Sequence, residues 1–123
     1  MVEIRNTTKA RIPEAYLKNL AKKVLAGERA KKRDVSVVFV GKKEARALNK
    51  AYHKKTYVPN ILSFEVEEFG LGELVLCPEI ISHDARKYGI TFKQELSHVF
   101  VHGLMHLLGY SHTKIEEKSK NYL

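Results

Sequence analysis

The segment from Thr91 to His112, TFKQELSHVFVHGLMHLLGYSH, constrains this chain more than any other part of it. Phe92, Leu96, Phe100, Leu104 and Leu107 recur at helical spacing. Thr91 is suited to cap the first turn, and Gly109 can take the left-handed conformation that ends the last one. The pattern predicts a long helix from about Phe92 to Leu108. Residues three and four apart share a helix face, so Glu95, His98, His102 and His106 fall on one stripe, away from the apolar one. A turn at Gly109 lets the chain swing back and bring His112 toward the same place.

Three imidazoles that converge leave one position of a tetrahedral ion open. That is the arrangement of a catalytic zinc, whereas a structural zinc is closed by four ligands that commonly include thiolates. The chain has one cysteine, Cys77, flanked by Leu76 and Pro78, a setting that suits a core position better than a reactive one. The expectation is one zinc ion per chain, held by His102, His106 and His112. Neutral ligands leave the ion's charge largely uncompensated, which favours polarising a phosphoryl or carbonyl oxygen and acidifying bound water.

The spacing His-x3-His-x2-Gly-x2-His equals that of the metzincin zinc peptidases, in which a glutamate general base follows the first histidine. Here Gly103 stands there, so the spacing supports a metal and argues against proteolysis, which is kept as the alternative activity. Glu95 and His98 share the ligand face and are candidates to orient a ligand, hold substrate or move a proton. Each is equally compatible with an ordinary solvated or hydrogen-bonded helix residue.

The rest of the chain reads as one small α+β domain over residues 1–123. Ile12-Pro13-Glu14 followed by Tyr16, Leu17, Leu20, Val24 and Leu25 predicts a helix ending at Gly27. Val35–Val40 reads as a buried strand and Lys43–Tyr52 as a helix. Ile61–Val66 and Glu73–Cys77 read as strands joined through Glu67–Gly72. Pro78 opens a helix over Glu79–Tyr88 that Gly89 stops, and the tail from Thr113 can add one short helix through Ile115–Tyr122. Residues 53–60, HKKTYVPN, break both periodicities and should form an exposed basic loop.

Net charge is +8, unevenly spread: residues 1–55 hold 16 Lys/Arg against 5 Asp/Glu, and residues 56–123 hold 6 against 9. A basic half attracts polyanions, since each phosphate contact releases counterions. Tyr52 and Tyr57 beside Lys54 and Lys55 can stack on bases, whereas Phe64 and Phe100 suit the core. The N-terminal stretch lacks the apolar run and small-residue cleavage site of a secretory leader. No window approaches the roughly 18 apolar residues of a membrane span, so a cytoplasmic location is expected and no membrane partner.

With these residues in view, His102-GLMHLLGYSH, Leu62-Ser63-Phe64, Leu71-Gly72-Glu73 and Cys77-Pro78-Glu79 resemble the YbeY-type endoribonucleases of bacterial rRNA maturation, over roughly residues 36 to 116. The resemblance implies a small mixed four-stranded sheet packed with helices. Its central helix carries the metal-ligand motif in a zincin-like arrangement, with His102, His106 and His112 as ligands. It also implies a single-strand-specific, zinc-dependent endoribonuclease in 16S rRNA 3′-end maturation and ribosome quality control, with ribosomal RNA and small-subunit components as partners.

Two positions depart from the family pattern. Its Leu-Asn-x-x-Tyr-Arg segment appears as Leu48-Asn49-Lys50-Ala51-Tyr52-His53, placing a mostly neutral histidine where an arginine is expected near the active cleft. His53 joins His98 and Glu95 as a candidate catalytic residue, with Lys54, Lys55, Tyr52 and Ser63 as candidate RNA contacts. Loss of the arginine keeps a third reading open, a non-catalytic ribosome-binding module stabilised by its metal. Ser111 stands where the family usually has aspartate before the last histidine, which removes a carboxylate able to influence ligand or loop geometry.

Overall fold

In the computed structural model, which describes residues 1–66 and 70–123, the chain forms an α+β fold. The order is β1 (Val2–Asn6), α1 (Glu14–Gly27), β2 (Val35–Phe39), α2 (Lys42–His53), β3 (Ile61–Glu65), β4 (Gly72–Leu76), α3 (Pro78–Tyr88), α4 (Phe92–Leu107) and α5 (His112–Ser119). The four strands make one mixed sheet in the order β1-β2-β4-β3. β1 and β4 flank β2 in parallel, and β3 runs antiparallel to β4 along the edge.

Alternation in β2 sets the two faces of this sheet. Val35, Val37 and Phe39 turn into the main core with Leu74 and Leu76 of β4, Leu17 and Val24 of α1, and Leu96, Phe100 and Leu104 of α4. Val38 turns the other way, into a smaller cluster with Val75, Leu62 and Ala45, over which α2 lies. Cys77 is buried in that second cluster, as expected of a core thiol. Phe100 is fully buried in the main core, whereas Phe64 is only half-buried at the rim of the smaller one.

The strand that hydrophobic pattern missed is β1. Only Val2 and Ile4 face inward, alternating with exposed Glu3 and Arg5, and two apolar residues are too short a signal to separate from a polar N-terminal stretch. The last helix also starts earlier than predicted, at His112, because Ser111 caps it: its Oγ accepts the Lys114 N–H at 3.4 Å. Serine and aspartate cap comparably well, so Ser111 keeps the local role that an aspartate would fill there. Glu67–Phe69, part of the expected connection between β3 and β4, lies outside the described residues.

α4 carries the capping box that its first residues suggest. The Thr91 Oγ1 accepts the Gln94 N–H at 3.1 Å, and the Thr91 N–H donates to Gln94 Oε1 at 2.9 Å. At the other end Gly109, with φ +88°, reverses the chain. The Gly109 N–H donates to the His106 carbonyl and the Tyr110 N–H to the Met105 carbonyl. Between these ends Leu96, Phe100, Leu104 and Met105 are fully buried. Each such side chain contributes on the order of 1.5–3 kcal/mol.

Gly103 explains how close α4 lies to the sheet. A Cβ there would stand 2.5 Å from Ile61 Cδ1 on β3 and 2.9 Å from Leu74 Cδ2 on β4. A side chain there would have to displace the terminal methyls of Ile61 and Leu74, and the position that metzincins give to a catalytic glutamate faces a sheet here. Gly103→Ala should lower stability by roughly 1–2 kcal/mol, overpacking against Leu74 outweighing the better helix propensity of alanine. Thermal unfolding of the two proteins checks this, and a more stable variant would mean that Ile61 and Leu74 yield easily.

Candidate metal centre

The apolar stripe of α4 seats the helix so that its polar stripe runs along the open edge beside β3. His102 and His106 lie on this stripe one turn apart, and the Gly109 reversal returns the chain so that His112, the first residue of α5, faces them. The three rings form a triangle with centroid separations of 6.3 Å for His102–His106, 6.1 Å for His102–His112 and 5.4 Å for His106–His112. His102 is half-buried, and His106 and His112 are exposed.

Three imidazoles bound tetrahedrally to zinc at about 2.0–2.1 Å would have ring centroids roughly 5 Å apart. The observed separations of 5.4 to 6.3 Å are all wider than this, two of them by more than about an ångström. Among the described residues no three His, Cys, Asp or Glu groups are already drawn to metal-holding distance. In donor chemistry three imidazoles suit a zinc ion, and the fold gathers their rings on one solvent-facing side without drawing them to ligating distance.

Burial pushes the proton affinity of His102 below its ordinary value, and neighbouring His106, His98 and His112 push it further, against a weaker pull from Glu116. Both influences favour the neutral imidazole, the form in which histidine binds metals. A small cavity of about 210 Å³ opens beside the triangle, lined by Asn60, Ile61, Glu95, His98, Val99, His102, Gly103 and His106. Both proton-handling candidates on the ligand face therefore share one cleft with two of the three ligands.

Glu95 is 7% exposed, although it is a carboxylate on the polar stripe of α4. Burial raises its pKa above the ordinary value, as does the nearby Asp84, while His98 opposes the rise. A group whose folded pKa is raised favours folding most when protonated, and that contribution is lost as pH rises through the folded pKa. Glu95→Gln should therefore unfold at a higher temperature than the parent near pH 7, the gain shrinking as pH falls toward the ordinary carboxylate range of about 4. Equal melting temperatures at pH 7 would show that the carboxylate carries no burial cost.

The remaining candidates lie elsewhere. His53 ends α2 and does not line the cleft; its ring stacks on Phe64 at 5.9 Å with a 17° interplanar angle, and Tyr52 meets Phe64 edge-on at 5.2 Å. Phe64 belongs to the cluster under α2, on the opposite face of β3 from Ile61 and Ser63. Lys54, in the left-handed conformation at the α2 C-cap, and Lys55 are exposed, as are Tyr52 and Tyr57. The loop that follows is anchored where the Asn49 Nδ2 donates to the Tyr57 carbonyl, and it ends at Asn60 on the cleft.

Asn60 and Ile61 are cleft residues that the sequence alone does not single out, because the chain around them is an ordinary loop-to-strand junction. Glu28 is another. Its carboxylate accepts from Tyr110, Lys118 and Tyr122, residues 82 to 94 positions away, a separation no local pattern reveals. Burial pushes Glu28 up, but these hydrogen bonds outweigh it and hold the group below its ordinary range.

The family model described as endoribonuclease YbeY matches residues 3–121. This chain belongs to the endoribonuclease YbeY family. A family member from Bdellovibrio bacteriovorus, named endoribonuclease YbeY, is 42% identical over 99 residues, covering 80% of this chain and 65% of the relative. Another of that name from Neisseria meningitidis serogroup B is 35% identical over 94 residues, covering 68% and 56%. The matched regions thus span 65% and 56% of these relatives, less than two thirds of either. The solution structure of TM1509 from Thermotoga maritima superposes with a TM-score of 0.74 at 28% identity, covering 99% of this chain and 86% of that one. Among the described residues no helix is long and apolar enough to cross a membrane.

Proposed function

We propose that this protein is a zinc-dependent endoribonuclease that cuts single-stranded RNA, with ribosomal RNA as substrate and 16S rRNA 3′-end maturation and ribosome quality control as its setting. Small-subunit components are the proposed partners and the cytoplasm the proposed location. The observation that carries the reading is the histidine triangle of His102, His106 and His112 at the mouth of a cleft, in a chain whose basic residues gather in its first half. The names borne by its relatives supply the kind of substrate that such a site would meet.

In this reading His102, His106 and His112 hold one zinc ion. Zinc so bound supplies Lewis-acid stabilisation of charge on a phosphoryl oxygen and a more acidic bound water. The protein's own groups do the rest. Glu95, protonated more readily than an ordinary carboxylate, and His98 at the cleft rim are placed to take up or release a proton. Lys54 and Lys55 neutralise backbone phosphates on approach, exposed Tyr52 offers a stacking face for a base, and Ser63 offers a hydroxyl on the α4 side of β3. His53 is occupied by stacking on Phe64 and contributes from outside the cleft.

The histidine spacing also belongs to zinc peptidases, but a carboxylate at position 103 would have to occupy the space taken by Ile61 and Leu74. Phosphodiester cleavage therefore has the stronger support. The test compares wild type with His106→Ala on a single-stranded RNA and on an unstructured protein, with zinc content measured on both preparations. Expected are about one zinc per wild-type chain, cleavage of RNA alone, and loss of zinc and of at least about 100-fold in rate in the variant with most of the fold kept. RNA cleavage that survives loss of His106, or cleavage of the protein instead, would contradict the proposal.

A further inference from the structure

His112 presents a structural problem that the fold has to solve. It is the first residue of α5, an eight-residue helix with one buried side chain, Ile115. Helices this short do not hold together in water without tertiary contacts. Yet the imidazole of His112 must stay within a fraction of an ångström of its place opposite His102 and His106 if all three are to serve one ion.

Glu28, the residue that caps the C-terminal end of α1, supplies the missing constraint. Its side chain is only 5% exposed. The Tyr110 hydroxyl donates to Oε1 at 2.8 Å, the Lys118 ammonium donates to the same oxygen at 2.9 Å, and the Tyr122 hydroxyl donates to Oε2. The Lys118 ammonium also lies 4.8 Å from the centre of the Tyr110 ring, so the donors support one another. These donors straddle the histidine, with Tyr110 two residues before it and Lys118 and Tyr122 after it. The C-terminal end of α1 leaves room for this, since a Cβ on Gly27 would collide with the Tyr122 hydroxyl.

We propose that Glu28 is a positioning residue for His112: by gripping the chain on both sides of that histidine, it preorganises the third metal ligand. The inference rests on the zinc reading above. Glu28 touches neither the ion's place nor the cleft, and acts only through Tyr110, Lys118 and Tyr122. A carboxylate suits the task because one small anion accepts charge-assisted hydrogen bonds from several donors at once.

The test is a zinc titration against a competing chelator for wild type, Glu28→Gln, His112→Ala and the double variant, far below their unfolding temperatures and with circular dichroism to verify folding. Glu28→Gln should weaken zinc binding by about tenfold or more, the effect typical of losing a group that orients a ligand. In the His112→Ala background the same change should have no further effect, since the histidine through which it acts is gone. Additive losses would mean general loosening and overturn the proposal, as would zinc affinity within twofold of wild type in Glu28→Gln. Should Glu28→Gln fail to fold, Tyr122→Phe removes one donor ten residues from His112, and it should give a smaller loss that also vanishes in the His112→Ala background. A wild-type chain that takes up no zinc overturns the metal reading itself, whereas zinc uptake sensitive to His112→Ala but not to Glu28→Gln overturns only the clamp.

Discussion

The close seating of α4 on β3 and β4 is the contact on which the rest of the structure depends. Burial of Leu96, Phe100, Leu104 and Met105 fixes the helix's rotation, and Gly103 fixes how near its backbone comes to Ile61 and Leu74. With rotation and depth set, the residues one turn apart on the other stripe are presented along the sheet edge. Glu95, His98, His102 and His106 then line a cleft with Asn60 and Ile61 of the β3 approach. The site is a by-product of packing in its placement, though not in its composition.

That placement sets the electrostatics. The same packing that buries the apolar stripe shields His102 and Glu95, lowering the proton affinity of one and raising that of the other. Both shifts favour the neutral form, which for an imidazole means readiness to bind a cation and for a carboxyl means capacity to donate a proton. His112, by contrast, arrives from outside the helix. Its position depends on the turn at Gly109 and the cap at Ser111, just before it in the chain, and on the grip of Glu28, far from it in sequence.

Much of this was legible from residues alone, for identifiable reasons. Helical periodicity, the Thr91 cap and the Gly109 stop mark α4 because they are local, and the same locality makes the histidine stripe visible. β1 was hidden because Val2 and Ile4 are too few to establish alternation, and the start of α5 because its burial reduces to Ile115. The Glu28 network was invisible for a different cause: its partners are far away in sequence and meet only after α1 and α5 have packed. His53, which the family pattern places near the active cleft, is found stacked on Phe64, a position that depends on the pairing of β3 with β4 and the placement of α2 across the far face of the sheet.

The central claim, that three histidines hold one catalytic metal and leave a position open, is tested most directly by X-ray absorption on the zinc-loaded protein. The expected spectrum shows three imidazole nitrogens and one further light-atom ligand at about 2.0–2.1 Å and no sulfur. A sulfur shell at about 2.3 Å, or a fourth protein ligand closing the site, would contradict it.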